Sequence, residues 1–571
     1  MNEKESTNKR KSTPQKVGRR QILFGSGFAF LNVAILRKLT RESDDQQSVT
    51  TSDIDSAAEL TGEPATNLTS GSTTIVESGD SPEPTGSPAG DEMPGIPFTD
   101  AGFAPVVDAE FAATTGQRFD IAISGGRVID PDSGFDFVAN LAINGTKVTA
   151  IVPKDVPLDA TTTIDATGLV VSPGFIDILS YDPNGYGEWY KIADGVTTNL
   201  GMHGINRRAE RWFAQHADGD HPLHFGGAYD NAFIRKYEGY DLDPYESAKS
   251  NEIAGLVERA RDNLYNGYIG LHMEPEYTPG VSYDEMNAHA VLAHELKVPL
   301  CVHARYSDNQ PPGTNLEAVD ELTRIALDTG AHVHIEHINS TGGTGVMAEA
   351  LQKISHAISQ GASITACVYP YTFWATTLKS ARFTDWQSKY GITYNDLQVA
   401  GTPQRLTKET FDKAYQANKL TAAFAIPQAD VDLALQTDFV MIGSDAILET
   451  DHNNHPRSTG CFSRVLSEYV RARNIIDLPT ALSKMTIQPA RLLEKGCPDL
   501  RYKGRLGIGA DADIVVFDAK TVSDRSTIAN PAQESVGVNW VLVEGQVAKN
   551  PQGLDYGAKA GRALRYDASS I

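Results

Sequence analysis

Three residues stand at the ends of short apolar runs, where a folded chain could bring them together: His303 in VPLCVHAR, His337 in AHVHIEHI and Asp445 in MIGSDAI. Imidazoles and carboxylates are the side chains that hold divalent metal ions and move protons. A metal held by such groups lowers the pKa of a water toward ~7 and polarises a carbonyl, which is what amide hydrolysis near neutral pH needs. Taken alone, a histidine at a strand end is more often a sheet residue than a ligand, so position does not decide between the two. His332 and His334, in the same stretch as His337, read as ordinary sheet residues. Arg305 lies two residues beyond His303 and faces the same way if the strand stays regular. Glu274 and Glu276 in LHMEPEYTPG are candidates for rim or pocket contacts. Other chemistries lack their motifs: there is no GxGxxG after a strand, no GxSxG elbow and no HExxH. The four cysteines, Cys301, Cys367, Cys461 and Cys497, form no CxxC pair, so neither a zinc knuckle nor a disulfide framework is indicated. Cys301 and Cys367 sit in apolar runs and read as small buried residues.

The elements that must position these groups are legible as a change of rhythm. FDIAISGGRVIDP, VANLAINGTKVTAIVP and TTIDATGLVVSPGFIDI alternate apolar and polar positions around turns such as Asn144-Gly145, the pattern of short strands in a β-sandwich. From Pro173 to about residue 487 apolar runs (GVTTNLGM, GYIGLHM, SITACVYPY, FVMIGSDAI) alternate with amphipathic segments such as NLEAVDELTRIALDTG. Strand and helix in turn predict an α/β fold, a (β/α)8 TIM-type barrel whose active site lies at the strand ends. After ALSKMTIQPARLL the chain is β again. Residues 118–172 and 488–571 are therefore expected to form one small composite β-sandwich that brackets a barrel at 173–487.

Ahead of this core, residues 39–117 are rich in Ser, Thr, Asp and Pro and read as a disordered linker. Residues 1–38 carry Arg19-Arg20, then the apolar run QILFGSGFAFLNVAIL at 21–36, then Arg37-Lys38. That is the pattern of a twin-arginine export signal, with an uncleaved membrane anchor as the other reading; either gives an exported, periplasmic or extracellular protein. Over the whole chain apolar residues make up 40% and the net charge is −23, which excludes a disordered chain and argues against a nucleic-acid partner. A small molecule is the expected partner; the oligomeric state is not legible.

Six strings carry a resemblance. VSPGFID (171–177) and KGRLGIGADADIVVFDA (503–519) resemble the segments that open and follow the barrel of amidohydrolases. TGAHVHIEHINST (329–341), VYPYTFWATT (368–377), ITYNDLQ (392–398) and HPRSTGCFSRVLSEYVR (455–471) resemble the N-acyl-D-amino-acid deacylases, in particular D-glutamate deacylases. The resemblance spans roughly residues 118–550. It implies a metal-dependent hydrolase of a non-peptide C–N amide bond that deacylates an N-acyl-D-amino acid such as N-acyl-D-glutamate, with one divalent ion, zinc by preference. It implies metal binding by His303 and His337, proton transfer by Asp445, and substrate contacts by Arg457 and by one of the candidates Tyr369 and Tyr371, the other tyrosine being core; Arg305, by its alternation with His303, is a further substrate-binding candidate.

The sequence also departs from the family. Relatives carry His-x-His after PGFID; here those two positions are Leu179 and Tyr181, and leucine ligates no metal. Near the end of GVTTNLGMHG, where relatives place a metal-binding Cys or Glu, His203 can complete a three-histidine site with His303 and His337. A Lys that some relatives carry two residues after the second histidine is Asn339 here. The lost pair motivates an alternative, a catalytically inactive binding protein on the same barrel. Cyclic-amide ring opening is a third reading.

Overall fold

The computed structural model describes residues 118–217, 219–450 and 455–570. The expectations for the export signal and linker lie outside the described residues. Strands β1 (Phe119–Asp130), β2 (Phe135–Asn144) and β3 (Lys147–Pro153) form antiparallel hairpins, with Gly145 at φ 55° in the turn that Asn144-Gly145 announces. β4 (Ala160–Asp165) and β5 (Val170–Pro173) run parallel to β1.

The barrel strands follow: β6 (Phe175–Asp177), β7 (Val196–Ile205), β8 (His224–Asp230), β9 (Gly270–Met273), β10 (Leu300–Val302), β11 (His332–Ile335) and β12 (Ser363–Val368). An inserted three-stranded antiparallel sheet, β13 (Trp374–Thr377), β14 (Leu397–Val399) and β15 (Leu420–Ala423), precedes the eighth barrel strand, β16 (Val440–Ile442). β17 (Ile514–Phe517), β18 (Val538–Val543), β19 (Gln546–Asn550) and β20 (Gly553–Leu554) then return to the first sheet. The junction is β17 against β5, antiparallel, with Val516 opposite Val171. The two ends of the described chain thus share one nine-stranded sheet.

All neighbouring strands of the eight-stranded sheet, in the order β16-β12-β11-β10-β9-β8-β7-β6, run parallel. Local sequence explains the helices between them. In Asn315–Thr329, Thr314 and Glu317 form a reciprocal capping box and Gly330, at φ 70°, takes the left-handed cap that L-residues avoid. Leu322, Ile325 and Ala326 of that helix are buried on one face. All four cysteines are buried, Cys301 and Cys367 in the apolar runs that led to that expectation.

The barrel closes at its seam through a backbone hydrogen bond and a cluster of side chains. Asp445 N donates to Leu179 O at 2.7 Å, and Ser444 N donates to Asp177 Oδ1 at 2.9 Å. Lys191 Nζ reaches Asp177 Oδ2 at 2.6 Å and Ser444 Oγ at 2.8 Å, with both charged side chains almost fully buried. Removing one partner of a buried ion pair strands the other charge, at about 3–5 kcal/mol. Lys191→Met is therefore expected to lower stability by that order, read as a lower midpoint of urea unfolding. A midpoint equal to that of the parent would refute the role of this pair in closing the barrel.

Candidate active site

The candidate residues collect where the barrel strands end. His203 lies in β7, His303 directly follows β10, and His337 and Asp445 come just after β11 and β16. His337 (φ 29°) and Asp445 (φ 53°) both take left-handed backbone, which costs an L-residue about 1–2 kcal/mol and marks sites where geometry is held by its surroundings. The three imidazoles face one another: ring centroids lie 4.8 Å apart for His303 and His337, 5.3 Å for His203 and His337, and 5.8 Å for His203 and His303. One nitrogen from each falls within 4.8 Å of the others.

Each ring is held at one nitrogen and keeps the other. His203 donates from Nδ1 to Glu336. His303 donates from Nε2 to Glu276 Oε2 at 2.6 Å, and its buried Nδ1 has no hydrogen-bond partner. Thr341 Oγ1 donates to the Glu336 carbonyl at 3.3 Å and can accept from His337 Nδ1, also at 3.3 Å. Burial pushes His337 down to about 3 and lowers His303, so both are neutral, the form that binds metal. Burial acts the same way on His203, but the Glu336 carboxylate outweighs it and raises the pKa. An orphaned buried nitrogen and three converging imidazoles form a donor set that fits a divalent ion. Among the described residues a second trio also gathers: His203, His272 and Glu336.

Asp445 closes the arrangement. Its Oδ2 lies 3.9 Å from His337 Nε2 and 2.8 Å from Arg457 Nη2, and Tyr181 donates to its Oδ1 at 3.0 Å. Burial works against charge on this carboxyl, but the Arg457 guanidinium outweighs it and holds the pKa below the usual value. Leu179, at the first lost histidine position, is buried in the core. Tyr181, at the second, is 37% exposed and lies edge-on to His203, 5.2 Å between centroids. A phenol hydrogen-bonded to the aspartate thus stands at the second of these positions.

Other candidates separate. Arg457 stacks over the Tyr369 ring at 4.5 Å; its Nη1 and the Tyr369 hydroxyl are both buried without partners, two donors free for an anionic group. Tyr371 turns the other way across Pro370: it packs on Phe373 and His455 and lines a cavity of about 350 Å³ with Arg464. Arg305 does not join the histidines, contrary to the alternation expected of it. β10 ends at Val302, so strand geometry no longer governs residue 305, and its guanidinium binds Glu321 and the Val281 carbonyl, each at 2.9 Å. His332 and His334 bond Ser363 and Thr365 as sheet residues. Asn339 is buried and donates to the carbonyls of Tyr369 and Tyr371.

Sequence reasoning did not find Glu336, His272, Asp230 or Arg382. The signal for the first was present: Glu336 continues the His332, His334 alternation into the barrel interior. Glu276, named as a rim or pocket contact, bonds His303 and Ser307 and lies 3.8 Å from Arg382. Burial opposes its charge, but Arg382 prevails and the pKa falls to about 2.

Known proteins resemble this chain over most of its described length. The amidohydrolase family model matches residues 381–548. The chain is 30% identical over 494 residues to N-acyl-D-glutamate deacylase of Alcaligenes xylosoxydans xylosoxydans, covering 79% of this chain and 98% of that one. It is 29% identical over 509 residues to D-aminoacylase of the same organism, covering 79% and 99%. A crystal structure of N-acyl-D-glutamate deacylase from Bordetella bronchiseptica, complexed with zinc and a phosphonate inhibitor, matches with a TM-score of 0.67 at 25% identity, covering 79% of this chain and 100% of that one.

Proposed function

We propose, since this chain belongs to the amidohydrolase family and to its N-acyl-D-amino-acid deacylase branch, that it hydrolyses the amide bond of an N-acyl-D-amino acid, N-acyl-D-glutamate being the leading candidate. The observation that carries this reading is the convergence of His203, His303 and His337 beside an ionised Asp445. The three histidines would hold one ion, zinc by preference. Such an ion supplies Lewis acidity toward the amide carbonyl and lowers the pKa of a water toward ~7.

The chain's own groups do the rest. Asp445, held ionised by Arg457, takes the proton of the attacking water and passes it to the leaving amine nitrogen, so that the C–N bond breaks and free acid and amine result. Arg457 Nη1 and the Tyr369 hydroxyl, unpartnered and adjacent, orient the substrate carboxylate. Glu336 and Glu276 fix which nitrogen His203 and His303 offer. The inactive-binding alternative rested on the missing His-x-His pair; nothing in the relatives or in the remaining donors supports it.

The test is a substrate panel. The full chain supplied with zinc is expected to release D-glutamate from N-acetyl-D-glutamate, with kcat/KM roughly 10²-fold above that for the L-isomer, since the inverted centre misplaces groups that fixed donors must read. No release from any acidic or neutral N-acyl-D-amino acid, with the ion bound, would sink the proposal.

A further inference from the structure

Three buried side chains, Asp230, His272 and Glu336, lead to the part-buried His203 of the histidine trio. Asp230 ends β8, His272 lies in β9, Glu336 follows β11 and His203 lies in β7. His272 donates from Nδ1 to Asp230 Oδ1 at 3.2 Å; its buried Nε2 makes no hydrogen bond but lies 3.5 Å from Glu336 Oε2, an ion-pair distance. The same Glu336 oxygen accepts from His203 Nδ1. Asp230 also caps the following helix by accepting from Ala232 N at 3.1 Å, which anchors the far end of the line to backbone. Asp230, His272 and Glu336 are 2%, 1% and 0% exposed.

A carboxylate buried in a barrel interior is expensive unless it is paired, by several kcal/mol. Among the described residues no lysine or arginine pairs with Glu336; its ionic partners are the two imidazoles. The placement therefore needs a reason other than packing, and the consequence for His203 supplies one. With Nδ1–H given to Glu336, the lone pair of His203 is confined to Nε2, and the ring is pinned facing His303 and His337. Carboxylate partners of this kind orient ligand histidines and raise their basicity. His303 has its own partner in Glu276, so the two rings are oriented independently.

We propose that Glu336, backed by His272 and Asp230, is the positioning residue that makes His203 a metal ligand beside His303 and His337. This rests on the three-histidine reading of the site. Glu336 touches neither substrate nor reacting atoms; it acts through His203.

The test compares zinc affinity, by competition with a chromophoric chelator, for the full chain and for Glu336→Gln, Glu336→Asp and Asp230→Asn. Glu336→Gln keeps the shape but loses the carboxylate charge that fixes the tautomer. It is expected to weaken zinc binding by about 10–100-fold. The cobalt(II)-substituted protein should change its visible absorption in parallel, while the melting temperature of the metal-free protein barely moves. Glu336→Asp should restore part of the affinity, and Asp230→Asn should lose less than Glu336→Gln. Should Glu336→Gln not fold, Asp230→Asn carries the test, and unchanged affinity there overturns the proposal. Zinc affinity of Glu336→Gln within about threefold of the parent also overturns it. So do two zinc ions per parent chain with one lost in His272→Ala, because the line would then be a ligand set itself. A parent chain that binds no zinc fails before any variant is made, and takes the reading of the site with it.

Discussion

Replacing His303 by alanine is expected to remove the metal. Elemental analysis should find about one divalent ion per parent chain and almost none in the variant, with turnover falling together with metal content. The physical ground is the donor count. Leu179 and Tyr181 offer no imidazole, so the candidate site draws on three, His203, His303 and His337. Zinc binding by small protein sites amounts to about 10–16 kcal/mol. Losing one of three nitrogen donors should remove roughly a third of this, a weakening on the order of 10³-fold. The fold is expected to survive, because Glu276, deprived of its imidazole, keeps Ser307 and the nearby Arg382. One ion per chain retained in His303→Ala would instead place the ion in the other trio, His203, His272 and Glu336.

Asp445→Asn is expected to separate chemistry from metal binding. The amide keeps the size of the side chain but cannot accept the proton of the attacking water. General acid–base groups contribute about 10²–10⁴-fold, and kcat should fall by that order while metal content stays near one ion per chain. The pH profile adds a second reading. Arg457 lies 2.8 Å from Asp445 and depresses its pKa, so the group is ionised below the ordinary carboxylate range and activity should persist as pH falls toward that range. The contribution of Asp445 itself is lost as pH falls through its depressed folded value. Turnover by Asp445→Asn above about a tenth of the parent rate would assign the proton transfer to another group.

Both predictions concern residues that were legible as strings. His303 and His337 stand at the ends of apolar runs of three or four residues, and the order of those runs is the order of the barrel strands. Periods of 2 and 3.6, a capping box at Thr314 and glycine at residue 330 are local properties, set by a residue and its near neighbours. The strand-end position of Asp445 and the β-rich flanks followed from the same local signals.

What the chain by itself did not disclose was partnership. Arg305 and Arg457 are the same residue type beside the same presumed site, yet one is absorbed by Glu321 and the other stays against Asp445. Tyr369 and Tyr371 flank one proline, and only Tyr369 meets Arg457. Glu336 drew no reading from the sequence; closure of the barrel sets it against His203, 133 positions away. Tyr181 and Asp445 are separated by 264 positions and joined by one hydrogen bond at the seam. Strand and helix periodicity and helix caps are fixed by interactions along the chain, within a turn or two. The tautomer of a histidine and the charge state of a buried carboxylate are fixed by whatever lies within ~4 Å in space, and in a barrel those neighbours come from different strands.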